Sequence, residues 1–324
     1  MGTAIVLRET GGPEVLRSEP VAVGKPVAGE LRIRQSAIGV NFHDVYVRSG
    51  LYRTLTLPGV PGIEAAGVVE EVGAEVSGFV PGDRVAYVTG RYGAYASDRL
   101  LPAELAVRLP PGIDERLAAA ALLKGLTAEM LAREVYPIRP GNTVLVHAAA
   151  GGVGRLLCQL ARHLGATVIG TAGSPAKAEL ARGAGCEHTI LYRQESFVER
   201  VREITGGRGV DAAYDSVGTD TFLGSLESLA IRGHLVNFGQ SSGPVEPFEV
   251  AKLAARSNSL TRPILFHYIA RREDLERMTA SVFDAIARGV LTIDPGRTFP
   301  LAEAAAAHEQ LEARTAPGPL LLVP

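Results

Sequence analysis

The chain has 324 residues, 46% of them hydrophobic and 21% charged, with a formal net charge of −2, two cysteines and no tryptophan. That length gives room for two cores, the slightly acidic balance argues against a nucleic-acid partner, and no apolar run approaches a membrane span. The first residues carry Arg8, Glu9 and Glu14 among turn formers with no hydrophobic leader segment, and Cys158 and Cys186 build no disulfide framework. A soluble protein of the reducing cytoplasm is expected.

In chain order, the region up to about residue 123 holds short β-rich runs, among them Leu31-Arg32-Ile33-Arg34, residues 66–72 and residues 83–88. Pro-Gly pairs punctuate it at 58–59, 61–62, 81–82 and 111–112. That pattern predicts a compact, partly barrel-like β domain. From Lys124 to about Phe266 strands and amphipathic helices alternate, with strands predicted at 143–148, 167–171, 188–191, 210–215 and 233–238. Regular βα alternation with short connections predicts an open, mostly parallel, doubly wound sheet. Beyond Arg271 come predicted helices at 271–288 and 302–313, then the apolar run Leu320-Leu321-Leu322-Val323, a strand returning to the first region. The expected organisation is α/β: residues 1–123 with 267–324 form one domain, and residues 124–266 form a second domain inserted in it.

The most informative segment joins the first of the alternating strands to its helix. Thr143-Val144-Leu145-Val146 is short, apolar and β-branched, and His147-Ala148-Ala149-Ala150-Gly151-Gly152-Val153-Gly154 follows it. Residues 155–164 then place apolar side chains at 156, 157, 160, 161 and 164, on one face of a helix. A glycine-rich turn there lets backbone N–H groups approach a pyrophosphate at the positive end of the helix. Ala149 stands where the first glycine of G-x-G-x-x-G would be, so the strand–turn–helix context carries the reading of Gly151, Gly152 and Val153 as a pyrophosphate turn.

The second strand, Ala166 to Thr171, runs into Ala172-Gly173-Ser174-Pro175-Ala176-Lys177 with no acidic residue at its tip. In NAD sites an Asp or Glu near that point holds the ribose 2′-hydroxyl. Its absence, with the hydroxyl of Ser174 and the ammonium of Lys177 beside Gly173, favours the 2′-phosphate of NADP(H). Ser174 also suits the N-cap of a helix opening at Pro175.

Further motifs are Gly11-Gly12-Pro13-Glu14-Val15-Leu16, Asn41-Phe42-His43-Asp44, the segment Tyr46 to Tyr52, and Lys124-Gly125-Leu126-Thr127-Ala128. Tyr214-Asp215-Ser216-Val217-Gly218, Phe238-Gly239-Gln240-Ser241 and Thr261-Arg262-Pro263 follow. With the glycine loop, they make the chain resemble, almost end to end, the medium-chain dehydrogenases/reductases and within them the NADPH:quinone oxidoreductase (ζ-crystallin-like) branch. The resemblance implies a Rossmann NADPH-binding domain inserted in a GroES-like catalytic domain. It also implies a homodimer formed along an edge of the cofactor-domain sheet, at Ser259-Leu260-Thr261.

The same superfamily contains zinc alcohol dehydrogenases, whose catalytic metal needs three protein ligands. The segment matching their Gly-His-Glu reads Gly62-Ile63-Glu64 here, no cysteine precedes residue 158, and His43 alone makes no site. No metal is expected. His147, on a buried strand, reads as a hydrogen-bonded core histidine. Without a Lewis acid, alcohol oxidation loses its means of lowering the alkoxide pKa, whereas an electron-poor quinone remains reducible. The expected activity is NADPH-dependent reduction of a quinone bound in an interdomain cleft, by hydride or one-electron transfer. An enone β-carbon is the alternative acceptor, and a non-catalytic NADPH-binding ζ-crystallin-like protein is the alternative class.

The resemblance places Tyr46 and Tyr52 near the nicotinamide and the quinone, and brings Arg262, ahead of Pro263, towards the active site. These three are expected to orient the acceptor and steady developing oxyanion charge. Asn41 and Thr127 match positions at the nicotinamide end, and Tyr192 falls by the adenine ribose phosphate. Ser216, Phe238, Gly239 and Ser241 follow the fourth and fifth strands, at the ligand-binding end of a doubly wound sheet. Arg314 matches an arginine that reaches the cofactor phosphates from the other domain. His43 is a departure, because the family usually has an apolar residue there; it either changes the polarity of the acceptor pocket or faces solvent.

Overall fold

The computed structural model describes residues 2–294, 296–314 and 318–324. The chain divides into one unit of Met1–Leu123, Ile269–Phe283 and Ile293–Pro324, and another of Lys124–Tyr268 and Asp284–Thr292. In the first unit β1 (Gly2–Leu7) pairs antiparallel with β2 (Leu16–Val21). The long strand β3 (Glu30–Val40) follows, then α1 (Phe42–Arg48), β4 (Glu64–Val72), β5 (Arg84–Val88), β6 (Asp98–Pro102) and β7 (Ala106–Arg108). Burial alternates along β3 from Glu30 to Ser36; from Ala37 onward every residue of the strand is buried. The buried polar Gln35 interrupts the apolar pattern, so periodicity marks Leu31 to Arg34 and misses the rest.

Helix α2 (Glu115–Glu129) precedes the parallel sheet. That sheet is built from β8 (Thr143–Val146), β9 (Thr167–Ala172), β10 (His188–Leu191), β11 (Val210–Asp215), β12 (Leu229–Asn237) and β13 (Ser259–Thr261). Helices α3 (Gly152–His163), α4 (Pro175–Gly183), α5 (Phe197–Ile204) and α6 (Phe222–Glu227) connect the first five strands, and α7 (Leu265–Tyr268) follows β13. The strand order is β10-β9-β8-β11-β12-β13, and every pairing is parallel. This is the doubly wound Rossmann arrangement, and its order reverses between β8 and β11, where such sheets bind ligands at their carboxyl ends. Leu145, Ile169, Ile190, Ala213 and Leu235, one from each of β8 to β12, form a core with Val201 and Phe222.

Strand β8 ends at Val146 rather than at 148, because the chain turns at Ala148, whose φ is 49°. Strand β12 begins at Leu229 rather than 233, its early residues offset by an irregularity against β11.

After α8 (Arg272–Ala287), β14 (Arg297–Pro300) and α9 (Ala304–Glu312), strand β15 (Leu320–Val323) pairs parallel with β14 and antiparallel with the end of β3. The resulting sheet runs β14-β15-β3-β4-β5-β7, with β6 also on β3. Leu320 and Leu322 enter the same core as Ile33, Ile38, Tyr87, Tyr95 and Leu101. Residues 284–292, read from sequence as part of the first domain, group with the parallel-sheet unit instead. Thr292 N–H donates to Gln159 Oε1 at 2.8 Å, and Gln159 Nε2 donates back to Thr292 O at 3.2 Å.

Candidate active site

At the carboxyl end of β8 the glycine loop is drawn tight against the sheet. Ala149 N–H donates to Thr171 O on β9 at 3.1 Å, and Gly151 N–H donates to Ala148 O at 2.8 Å. A Cβ on Gly154 would stand 2.3 Å from Ala148 O, so only glycine lets α3 start this close to the loop. Gly151 is the N-cap of α3 and no side chain caps that end. The N–H groups of the first helical turn have no intrahelical acceptor, so the loop presents a helix N-terminus suited to an anion. A Cβ on Gly152 would lie 3.1 Å from Lys124 Cδ, which places the Lys124 stem against this turn. Thr127, one helical turn beyond Lys124 on α2, shares its face. The pyrophosphate of a dinucleotide suits this cradle, whose positive groups are the helix N-terminus and Lys124.

His147 is not part of that cradle. It is 1% exposed, with Nδ1 3.1 Å from Thr171 Oγ1, Nε2 2.9 Å from Ser225 Oγ and its ring edge-on to Phe197. Burial lowers its pKa, opposed by Asp215, and the ring acts as a tie between β8, β9 and α6.

At the ends of β9 and β10 lies a second group. Ser174 caps α4, its Oγ accepting Lys177 N–H at 3.4 Å, and Pro175 opens the helix. A Cβ on Gly173 would come 2.9 Å from the Tyr192 hydroxyl, so Tyr192 leans over Gly173. Gly173, Ser174, Lys177 and Tyr192 are thereby neighbours at the same sheet edge.

The loops after β11 and β12 form a third group. Asp215, fully buried, accepts from Val217 N–H at 2.7 Å, Gly218 N–H at 3.1 Å and Thr221 Oγ1 at 2.8 Å, all at Oδ1. Phe238 N–H donates to Asp215 O, and Ser241 N–H donates to Ser216 O. A Cβ on Gly239 would lie 2.6 Å from Ser216 O. Arg262 closes this group: its Nη1 donates to Asn237 O at 3.0 Å, Asn237 Oδ1 at 2.9 Å and Gly239 O at 3.1 Å. The guanidinium thus fastens the loop after β12, a role that the acceptor-orienting reading does not anticipate.

The first unit holds the aromatic residues. Asn41 begins α1, its N–H donating to Asp44 Oδ2 at 2.8 Å and its Nδ2 to Glu64 Oε2 at 3.0 Å. Glu64 is fully buried and also accepts Leu123 N–H at 2.6 Å. Tyr46 and Tyr52 meet edge to face, centroids 5.1 Å apart, and Tyr52 N–H donates to Tyr46 O at 2.9 Å. His43 packs edge-on to Tyr52 at 5.5 Å and its Nε2 lies 3.0 Å from the Tyr92 hydroxyl. His43 is therefore turned into an aromatic cluster, and burial holds its imidazole pKa down at about 4. Arg314 follows α9 with φ 55° and is exposed, its N–H donating to Leu311 O at 3.1 Å.

Zinc does not fit these residues. Ile63 is 1% exposed, Glu64 is engaged with Asn41 and Leu123, and among the described residues no group of three or more His, Cys, Asp or Glu could hold a metal ion. Sequence reasoning left Lys124, Glu64 and Asp215 without roles. Lys124 had a signal, a lysine one turn before Thr127; the other two act through partners that local pattern does not identify.

Residues 152–283 match the zinc-binding dehydrogenase family, and residues 27–111 match the alcohol dehydrogenase GroES-like domain. The chain is 47% identical to a quinone oxidoreductase of Pseudomonas aeruginosa, over 100% of both chains. It is 45% identical to a 2-haloacrylate reductase of a Burkholderia species, over 100% of this chain and 99% of that one. The crystal structure of Escherichia coli quinone oxidoreductase complexed with NADPH superimposes with a TM-score of 0.96 at 45% identity, covering 99% of this chain and 100% of that one. The chain belongs to the medium-chain dehydrogenases/reductases, in their quinone oxidoreductase branch.

Proposed function

We propose that this chain reduces quinones with NADPH and without a metal ion. The observation that carries the reading is the intact, uncapped glycine turn at α3 in a chain similar over its whole length to quinone oxidoreductases. The N–H groups of Gly152 and Val153, with Gly151 at the cap and Lys124 beside them, hold the pyrophosphate. Gly173, Ser174, Lys177 and Tyr192 receive the 2′-phosphate, where no carboxylate repels it. Asn41 and Thr127 serve the nicotinamide end, Ser216, Phe238, Gly239 and Ser241 line the same end of the sheet, and Arg314 serves the phosphates. When bound, NADPH supplies a hydride equivalent. Tyr46 and Tyr52 orient the acceptor and steady charge on its oxygen, and Arg262 holds the loop after β12 in place. We further infer a homodimer formed at β13, which pairs with β12 on one side and carries the exposed Leu260. Cytoplasmic residence is part of the same reading, supported by the unbridged thiols of Cys158 and Cys186.

The 2-haloacrylate reductase relative favours one second reading, reduction of an activated carbon–carbon double bond. NADPH oxidation measured with 1,4-benzoquinone, 9,10-phenanthrenequinone and a simple enone, with NADH in parallel, separates the two. Fast quinone-dependent turnover preferring NADPH supports the first reading. Turnover with the enone alone supports the second, and tight NADPH binding with no turnover on any acceptor sinks both.

A further inference from the structure

Thr54, Tyr92 and His43 form a continuous hydrogen-bonded chain. The Thr54 and Tyr92 hydroxyls bond to each other, and the Tyr92 hydroxyl is 3.0 Å from His43 Nε2. Burial rises along it: Thr54 is exposed, while Tyr92 and His43 are partly buried. The chain ends at the ring of Tyr52, 5.5 Å from the His43 ring, and Tyr52 in turn meets Tyr46. These residues come from α1, the turn after it and the segment after β5, so the chain exists only in the folded unit. Packing alone would be met by apolar side chains, and the resemblance indicates that relatives usually have one at position 43.

We propose that Thr54, Tyr92 and His43 carry a proton from solvent to the acceptor, with His43 the group that hands it to the acceptor oxygen. The proposal rests on the quinone-reducing reading, in which Tyr46 and Tyr52 flank the acceptor. Reduction of a quinone by one hydride requires one proton to complete the hydroquinone. The imidazole gives its Nδ1 proton to the acceptor oxygen and takes the Tyr92 hydroxyl proton at Nε2, and return of that proton from Nε2 to Nδ1 through water resets the ring before the next turnover. Tyr92 is reprotonated from the Thr54 hydroxyl and Thr54 from water, so the net transfer is one proton and no residue is oxidised or reduced. The imidazole stays neutral between turnovers, as its depressed pKa requires, and relays a proton rather than storing one. Because the resemblance implies an apolar residue at this position in the family, the path accelerates the reaction without being its sole proton source.

The test is quinone-dependent NADPH oxidation in H2O and D2O by the full chain and its Tyr92→Phe, His43→Leu and doubly substituted variants. A second readout needs no cofactor: the imidazole nitrogen NMR signals of His43, with and without Tyr92→Phe. The expected result is a roughly tenfold lower kcat for each single variant, with the KM for NADPH unchanged and the solvent isotope effect altered. The double variant is expected to be no slower than the worse single one, because both cut one path. The Nε2 signal of His43 is expected to shift in Tyr92→Phe, and its presence reports that the variant is folded. Variants within twofold of an active parent, with an unchanged isotope effect, overturn the proton path and leave the quinone reading standing. A parent that binds NADPH and ignores every quinone overturns the quinone reading, and the path with it.

Discussion

The Tyr95 hydroxyl lies 3.0 Å from His308 Nε2, and the two rings meet edge to face at 89°, linking the segment before β6 to α9 within the first unit. Arg48 Nη1, which can only donate, faces His308 Nδ1 at 3.3 Å, so Nδ1 accepts and Nε2 carries the hydrogen. Tyr95 passes its own hydroxyl hydrogen to Asp44 Oδ2 at 3.1 Å, and Arg48 closes the array on Glu312 with bonds of 2.8 and 2.9 Å. A proton on Nδ1 would point at a guanidinium. Burial, and then Arg48, accordingly hold the His308 pKa at about 3, against 6.5 in an unfolded chain.

The sign of the resulting pH dependence follows. Between these two values the unfolded chain binds a proton that the folded chain refuses, so stability falls as pH drops from 6.5 towards 3. The loss is on the order of 5 kcal/mol once pH is below both values, and the partly buried His43 adds in the same direction. Urea midpoints measured across that range should decline steeply, with a shallower decline in His308→Gln, which keeps a donor and an acceptor but does not titrate. Parallel curves would show that His308 is not the group responsible.

Gly154 and Gly152 separate folding from binding. Gly154→Ala drives a methyl against the immovable Ala148 carbonyl, whereas Gly152→Ala meets only the flexible Lys124 stem. Gly154→Ala should lose about 2 kcal/mol or more of stability. Gly152→Ala should keep its unfolding midpoint and bind NADPH roughly tenfold more weakly, by crowding the turn that approaches pyrophosphate. Titration calorimetry beside thermal unfolding checks both, and equal stability of the two variants would count against the close approach at Gly154.

Much of this was legible beforehand and some was not, for physical reasons. The glycine loop and the βα alternation are local, so periodicity and turn chemistry expose them. The continuous burial of β3 after Ala37 erases the alternation that marks a strand, and the offset start of β12 comes from its pairing partner. The Asn41–Glu64 bond, the Asp215 hub and the His43–Tyr92 contact join residues that only the folded chain brings together. Arg262 is visible in sequence as an arginine before proline, but its attachment to Asn237 and Gly239 is not.

Lys177 tests the choice between cofactors. Its backbone N–H is tied to the Ser174 cap, in the first turn of the helix that follows Gly173, over which Tyr192 leans. Lys177→Ala should weaken NADPH binding roughly fivefold, about 1 kcal/mol, and leave NADH unchanged. Equal losses for both cofactors would refute a 2′-phosphate role. Ser174→Ala should in addition cost about 1 kcal/mol of stability through the lost cap.

Arg262 holds three oxygens with a single nitrogen. Arg262→Lys leaves a tetrahedral ammonium on a different stem, so the loop at 237–239 should loosen. A kcat reduced severalfold, with raised hydrogen exchange confined to that loop, is the expected outcome. Wild-type exchange together with reduced kcat would instead indicate direct contact with the acceptor.

Strand β15 sets the order in which this protein can be completed. Leu320 pairs with Val40, a contact across roughly 280 residues, whereas the six parallel strands all lie between Thr143 and Thr261. During synthesis, which proceeds N-terminal first, β3 therefore waits beside β4 and β6 with the β15-facing side of Ile38–Val40 unpaired, while the Rossmann unit has its full set of strands. Pulse-labelled exchange during refolding should protect β8, β9 and β11 before the end of β3. Until β15 arrives, that stretch is an open apolar edge, and the nascent chain is most exposed to edge-to-edge association in this interval.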